Sequence, residues 1–456
     1  MTEGRTARPG EQELGAGETA RLVAWQVLRA VAADDAYANL VLPARIEGAG
    51  LTGRDAALAT ELAYGTLRAG GTLDEVVRRC ASRDLDQIQP PVLDLLRLGA
   101  YQLLRTRVPP HAAVATTVEL ARRTGNARAA GFVNAVLRKV AGRDWDGWCD
   151  RIGGQASELG RLALRHSHPG WIVAAFADAL PPAELAAALA ADDDRPQTHL
   201  AAWPGRIDRA ELAAEAGGAP GPYSPYAVRL DRGDPGRLAA VRTGRAGVQD
   251  EGSQLCVLAL TRITEVQPGE SWLDLCAGPG GKAALLAGLA DGCGAELTAN
   301  ELHPHRAELV ARATRGWPVR IVTGDARALT GRFDRILLDA PCTGLGALRR
   351  RPEARWRRSP ADLADLVRLQ AELLDAAAEL LAPGGVLAYV TCSPHPAETT
   401  AQVDTVRNRH PQLELLDARP AFGGVDQLDD RPTVQLWPHR QGTDAMFFAA
   451  LRRPAG

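Results

Sequence analysis

Between residues 19 and 141 apolar positions recur at helical spacing. Leu22, Val23, Val27 and Ala30 form one set, with Gln26 among them, Ala57, Leu58, Leu62 and Leu67 a second, with Glu61 among them, and Val92, Leu95, Leu96 and Leu103 a third. Thr52 stands where an N-cap falls, and Pro90-Pro91 and Pro109-Pro110 mark helix starts. This stretch predicts an all-α bundle. From Val248 onward the period changes. Apolar runs of strand length occur at 272–276, 296–299, 319–322, 335–338 and 386–390, separated by helical patterns such as 283–289 and 362–381. Alternation of this kind predicts an α/β domain with an open, mainly parallel sheet covered by helices on both faces.

The intervening stretch is mixed. A helix over 171–180 and another after Pro181-Pro182 give way to Gly/Pro-rich sequence and a strand-like piece at 226–230. The pattern divides the chain into a flexible tail (1–17), a helical domain (18–145), a small α+β connecting domain (146–247) and the α/β domain (248–456).

Composition narrows the class. With 456 residues, 46% of them hydrophobic, the chain is long enough for several domains, each with its own core. No apolar run is long enough to span a bilayer, and residues 1–17 lack the apolar core of a secretory signal, so a soluble cytoplasmic protein is expected. Seven cysteines, none in a C-x-x-C pair, argue against a disulfide framework and against a zinc site of ordinary spacing, and no metal is expected. Of 53 basic residues only Lys139 and Lys282 are lysines. Where drift toward arginine is so complete, a surviving lysine is a candidate for a place that a compact ammonium fits and a planar guanidinium does not, the alternative being survival by chance.

Lys282 ends the loop Cys276-Ala277-Gly278-Pro279-Gly280-Gly281-Lys282, at the first strand-to-helix junction. Three glycines let the backbone turn sharply and approach a ligand at a helix N-terminus. A phosphate-binding P-loop would need Gly at Cys276 and Ser or Thr at Ala283, and the glycine spacing does not fit the dinucleotide pattern. The loop style that remains is that of proteins binding S-adenosyl-L-methionine. Glu301, at the end of the next strand, is placed to accept hydrogen bonds from ribose hydroxyls. Asp325, after the third, is placed to reach an adenine amino group.

Two further strand ends carry cysteines: Asp339-Ala340-Pro341-Cys342 and Thr391-Cys392-Ser393. In a doubly wound sheet these strands are neighbours, and ligands sit at their carboxyl ends. Both thiols should therefore face one crevice, whereas Cys80, Cys149, Cys256 and Cys293 are expected to be inert core residues. The chemistry that needs such a pair is methylation of a pyrimidine at C5. That carbon becomes nucleophilic only after a thiolate has added to C6. Asp339 would stabilise the base at its N3 edge. Methylation of an exocyclic amine needs no thiol.

These segments, together with Val248-Gln249-Asp250-Glu251-Gly252-Ser253-Gln254, resemble the signatures of RNA cytosine-5 methyltransferases, and within them the bacterial Sun/Fmu type that acts on 16S ribosomal RNA. In that type the N-terminal domain is similar to the antitermination factor NusB, and Phe132-Val133-Asn134-Ala135-Val136-Leu137-Arg138-Lys139 matches that part. The resemblance implies a NusB-like helical RNA-binding domain before a Rossmann-like methyltransferase domain. It implies Cys392 as nucleophile and Cys342 as the group that assists product release. Residues 276–282, Glu301, Asp325 and Asp339 would frame the S-adenosyl-L-methionine pocket. The chain departs from the type at His199-Leu200-Ala201 and at Ala445, away from the catalytic constellation.

An overall charge of −2 does not announce a nucleic-acid binder, but the stretch after Cys342 carries Arg349, Arg350, Arg351, Arg355, Arg357 and Arg358 against the single acid Glu353. Arg349, Arg350, Arg351 and Arg355 are expected to meet RNA phosphates, with Trp356 stacking on a base. The expectation is a monomeric enzyme with 16S ribosomal RNA as partner. The same chemistry on tRNA, a non-catalytic assembly factor and a small-molecule methyltransferase are the competing readings.

Overall fold

The computed structural model describes residues 15–455. Of the tail expected over 1–17, residues 1–14 lie outside the described residues, and the first helix already begins at Ala16. The chain forms two compact units. One comprises the described residues up to Val173 together with Arg349–Arg357; the other comprises Ala174–Leu348 and the described residues from Arg358 onward. The connecting stretch is thus shared between them, and a short segment from the middle of the α/β domain belongs by its contacts to the helical unit.

The helical unit is built from amphipathic helices, among them Gly53–Arg68, Gly70–Cys80, Pro90–Arg105, Pro110–Ala121 and Ala130–Val140. Proline opens two of them, at the position where its missing N–H costs nothing. Thr52 is the N-cap of Gly53–Arg68, but its side chain makes no capping hydrogen bond. Of the expected apolar positions, Val23, Val27, Leu62, Val92, Leu95 and Leu96 are buried in one core and Leu22, Leu58, Leu67 and Leu103 pack half-buried against it, whereas Ala57 is exposed.

The second unit contains two sheets. The smaller is antiparallel, with β1 (Thr198–Ala202), β2 (Ala219–Pro220), β3 (Ala227–Leu230) and β4 (Ala246–Val248) in the order β2-β3-β1-β4. The larger contains β5 (Ser271–Asp274), β6 (Glu296–Glu301), β7 (Val319–Thr323), β8 (Phe333–Asp339), β9 (Leu381–Thr391), β10 (Glu414–Leu416), β11 (Val434–Gln435) and β12 (Phe447–Arg452). Its order is β10-β12-β9-β8-β5-β6-β7, with β11 paired to β12. The five strands from β7 to β9 run parallel, and β12 lies antiparallel to both β9 and β10.

Alternation along these strands feeds two cores. Leu273, Ile336, Leu338, Leu387 and Tyr389 point to one face, where helix Pro360–Leu380 supplies Leu373, Leu374 and Ala377. Trp272, Leu337, Val386, Ala388 and Val390 point to the other, where helices Glu251–Arg262 and Gly281–Cys293 supply Leu255, Leu285 and Leu286. The strand order reverses direction at β5. In such sheets the crevice beside that point, at the carboxyl ends of the strands, is where ligands bind.

Candidate active site

The glycine loop leaves β5 at Asp274 and enters helix Gly281–Cys293. Gly280 has φ of 113°, a conformation that favours glycine, and a Cβ there would lie 2.7 Å from Ala313 Cβ. Gly278 donates its N–H to Glu301 Oε2 at 3.1 Å, so close that a Cβ at Gly278 would meet that oxygen at 2.1 Å. The other oxygen of Glu301 accepts from the backbone N–H of His303 at 3.0 Å. Ala277 and Pro279 complete the turn, and the Gly278 carbonyl accepts from Arg306. Glu301 is therefore oriented at the end of β6 by backbone donors on both sides.

Asp325 follows β7 and accepts from the backbone N–H of Arg327 at 3.0 Å. The guanidinium of the same arginine pairs with both its oxygens and holds its carboxyl down at about 2.

Lys282 reaches from the start of its helix to Asp339 at the end of β8, with Nζ 2.8 Å from Oδ2. Burial acts to lower the Lys282 pKa, but the charge and hydrogen bond of Asp339 outweigh it and the net shift is upward, so the ammonium is firmly charged. Beside this pair lies Asp274, fully buried, whose carboxyl meets the backbone N–H of Cys276 and no side-chain donor. Burial, then repulsion from Asp339, raises its pKa to about 8 against the pull of Lys282. The glycine-loop pattern at 276–282 does not single out Asp274. Its signal was an acid within an otherwise apolar strand.

Cys342 follows β8 and Cys392 follows β9, and their sulfurs lie 3.4 Å apart. The two strands pair in register, with Leu338 beside Tyr389 and Asp339 beside Val390, so both cysteines leave the sheet at one level. The hydrogen bond with Cys392, and then burial, raise the Cys342 pKa well above that of an ordinary thiol. The other cysteines differ. Burial pushes Cys256 up to about 12, and Cys276 is likewise raised by burial and by Asp274, which makes both poor nucleophiles. Cys80, Cys149 and Cys256 are buried, whereas Cys293 is partly exposed.

Four further residues tie the thiol loops together. Glu398, fully buried, accepts from Thr343 N at 2.8 Å and from Gln370 Nε2 at 3.0 Å. Ser393 Oγ lies 3.2 Å from Thr343 Oγ1. Sequence reading missed Glu398 and Gln370, because an isolated Glu six residues after a cysteine carries no pattern.

The arginine segment departs from expectation. Arg355 is fully buried in the helical unit, where Nη1 donates to the carbonyls of Arg68, His166 and Ser167 at 3.1–3.4 Å. It serves helix ends and does not present itself to RNA. Arg349 is buried as well, Arg350 is half-buried, and Arg351 is exposed. Trp356 is 36% exposed, but its indole N–H donates to Leu67 O at 2.8 Å and its ring covers Gly70 and Gly71. Among the described residues no cluster of metal-ligating side chains occurs, and no helix is long and apolar enough to cross a membrane.

A glycine cradle against Glu301, a buried carboxyl and an ammonium at the switch point fit S-adenosyl-L-methionine, whose methionyl end carries an ammonium and a sulfonium for that carboxyl and a carboxylate for that ammonium. The fold and the site thus define an S-adenosyl-L-methionine-dependent methyltransferase domain joined to a helical domain of the NusB family, whose description matches residues 18–142. Residues 261–452 match the family described as 16S rRNA methyltransferase RsmB/F. The chain belongs to that family. It is 34% identical to the ribosomal RNA small subunit methyltransferase B of Salmonella arizonae over 87% of this chain and 90% of that one. It is 58% identical to a putative methyltransferase of Mycobacterium tuberculosis over 96% of this chain and 97% of that one. The solved structure of PH0851 shares the fold, with a TM-score of 0.79 at 21% identity, covering 97% of this chain and 99% of that chain.

Proposed function

We propose that the protein methylates C5 of a cytosine in 16S ribosomal RNA, in the cytoplasm and as a monomer, through a covalent adduct between Cys392 and C6 of the base. The observation that carries this reading is the pair of sulfurs 3.4 Å apart at the ends of β8 and β9. Methylation of an exocyclic amine needs no thiol; two thiols in one crevice fit a reaction that must both form and break a bond to the base. The names of the relatives support the choice of RNA.

Residues 276–282 and Glu301 would hold the nucleoside of S-adenosyl-L-methionine, with Asp325 near the adenine and Asp274 near the methionyl ammonium. When bound, the cofactor supplies an electrophilic methyl group. The Lys282 ammonium interacts electrostatically with the Cys392 sulfur. The thiolate adds to C6 while Asp339, oriented by Lys282, steadies the base at its N3 edge. C5 takes the methyl group. Water takes the C5 proton, the C5–H electron pair re-forms the C5–C6 double bond, the C6–S bond breaks, and its electron pair returns to sulfur. Cys342, protonated and in contact with Cys392, assists this release. The target base has to leave its stack to reach the crevice. Arg349, Arg350, Arg351 and Trp356 were expected RNA contacts; of these, the exposed Arg351 is the residue we retain.

The test is bisulfite sequencing of ribosomal and transfer RNA from cells with and without the gene. Loss of one protected cytosine in 16S RNA is the expected result. Loss at a tRNA position keeps the chemistry and overturns the target. No change in either RNA overturns the reading in favour of an assembly factor or a small-molecule enzyme.

A further inference from the structure

We infer that Glu398 is a positioning residue that fastens the Cys342 loop to the Cys392 loop and so sets the separation of the two sulfurs; this rests on the reaction proposed above. Glu398 sits in the turn Pro396–Glu398 and is fully buried. Burying a carboxylate is costly unless its lone pairs are met. Here three neutral donors meet them. Thr343 N at 2.8 Å and Gln370 Nε2 at 3.0 Å reach Oε1, and the Thr343 hydroxyl donates to Oε2.

These donors bracket the thiols. Thr343 directly follows Cys342, and Pro341 directly precedes it, with the Pro341 carbonyl accepting from the same Gln370 amide at 2.8 Å. On the other side, Ser393 directly follows Cys392 and its hydroxyl lies 3.2 Å from that of Thr343. Glu398 is itself anchored to the strand that delivers Cys392: its carbonyl accepts from the Tyr389 hydroxyl at 2.8 Å. Gly346 N donates to the Cys392 carbonyl at 2.9 Å and closes the ring of contacts.

A side chain needed only to fill space here would be apolar, since a well-packed hydrophobic residue commonly matches or exceeds a buried charge in stability. A carboxylate offers something else. It accepts at both oxygens and donates at neither, which matches a site presenting an amide N–H, a hydroxyl and a side-chain NH2. A glutamine would turn an NH2 toward one of these donors. The negative charge also opposes ionisation of Cys342, whose raised pKa is due in part to Glu398. Geometry and charge both keep Cys342 a neutral thiol beside the attacking one.

The experiment uses the full chain with Glu398→Gln, Thr343→Val and Thr343→Ser. Two quantities are read: kcat and KM for methyl transfer to 16S RNA, and the pH profile of iodoacetamide alkylation at Cys342 and Cys392, resolved by peptide mass. The second needs neither RNA nor cofactor. Glu398→Gln is expected to lower kcat about 100-fold, as small misplacements of reacting groups do. KM for the cofactor stays unchanged, and Cys342 alkylation shifts to lower pH. Thr343→Val should follow Glu398→Gln in kcat, and Thr343→Ser should restore wild-type values. A wild-type kcat in Glu398→Gln overturns the inference. So does a loss of kcat with an unchanged alkylation profile, which marks general damage. If Glu398→Gln does not fold, the two Thr343 variants decide: equal activity in both overturns the inference. If the wild-type protein does not methylate RNA, the proposed reaction fails, and the alkylation profile alone decides the role of Glu398.

Discussion

Lys282 Nζ lies 2.8 Å from Asp339 Oδ2, and it is the positive charge set against two carboxyls, because Asp274 is buried beside the same pair. The lysine side chain is 12% exposed and the Asp339 side chain 27%. This is the physical reason for a lysine in a chain whose other basic residues, Lys139 apart, are all arginines. A guanidinium would need more room and more acceptors than the crevice supplies.

Replacing Lys282 by Met therefore leaves the carboxyls uncompensated. We expect a loss of roughly 2–4 kcal/mol, below the upper figures for wholly buried pairs because Asp339 is partly open to water. Urea denaturation checks the stability. Lys282→Arg keeps the charge but not the fit, so it should lose less stability than Lys282→Met and still lose most of the methyl transfer, which separates charge from shape.

Asp274 gives the cofactor-free protein a pH dependence of unusual sign for a carboxyl. Its folded pKa of about 8 lies above the ordinary carboxylate value. Between about pH 4 and pH 8 the unfolded chain ionises this group while the folded protein keeps it protonated. The folded state then binds more protons, and stability falls as pH rises through that window, by up to about 1.4 kcal/mol per pH unit. Above pH 8 the contribution is flat. Asp274→Asn should abolish this component of the slope in denaturation measured without cofactor. Binding of cationic S-adenosyl-L-methionine at pH 7 should release a proton in the native protein and none in Asp274→Asn, as titration calorimetry in two buffers would reveal.

The paired sulfurs separate two failures. Cys392→Ala should form no adduct with RNA and transfer no methyl group. Cys342→Ala should still attack, but it should release product slowly and accumulate a covalent RNA–protein species visible on denaturing gels. The opposite pattern reverses the two roles.

The sheet and its helices were legible in the sequence because their apolar periods are strong. Each of the five expected strand runs lies on or overlaps a parallel strand, and the neighbouring of the two cysteine-bearing strands followed from the doubly wound order alone. The glycine loop was legible because Gly278 and Gly280 meet steric demands no other residue satisfies. What stayed hidden depends on contacts between distant parts of the chain. Glu398 and Gln370 act on residues 55 and 29 positions away, and nothing local announces it. Arg355 shows the same limit in reverse. An arginine in a basic run reads as a surface charge, yet here the segment 349–357 belongs to the helical unit, 287 positions from the Arg68 carbonyl it serves.

That arginine separates architecture from RNA contact. Arg355 Nη1 donates to the carbonyl of Arg68, which ends helix Gly53–Arg68, and to those of His166 and Ser167, just past the end of helix Glu158–Arg165. Carbonyls at helix C-termini lack intrahelical donors and carry the negative end of the helix dipole, so a buried guanidinium satisfies them in both respects. Arg355→Met should cost roughly 2 kcal/mol by leaving them unpaired. It should lower the melting temperature while the salt dependence of RNA binding by the folded protein stays unchanged. Arg351 is exposed and has its guanidinium over the ring of Tyr37, 5.5 Å from the centroid. Arg351→Ala should leave the melt alone and reduce the slope of log affinity against log salt by about one phosphate contact. Measured side by side, an unchanged slope in Arg351→Ala would remove this residue from the RNA interface, and a changed slope in Arg355→Met would return Arg355 to it.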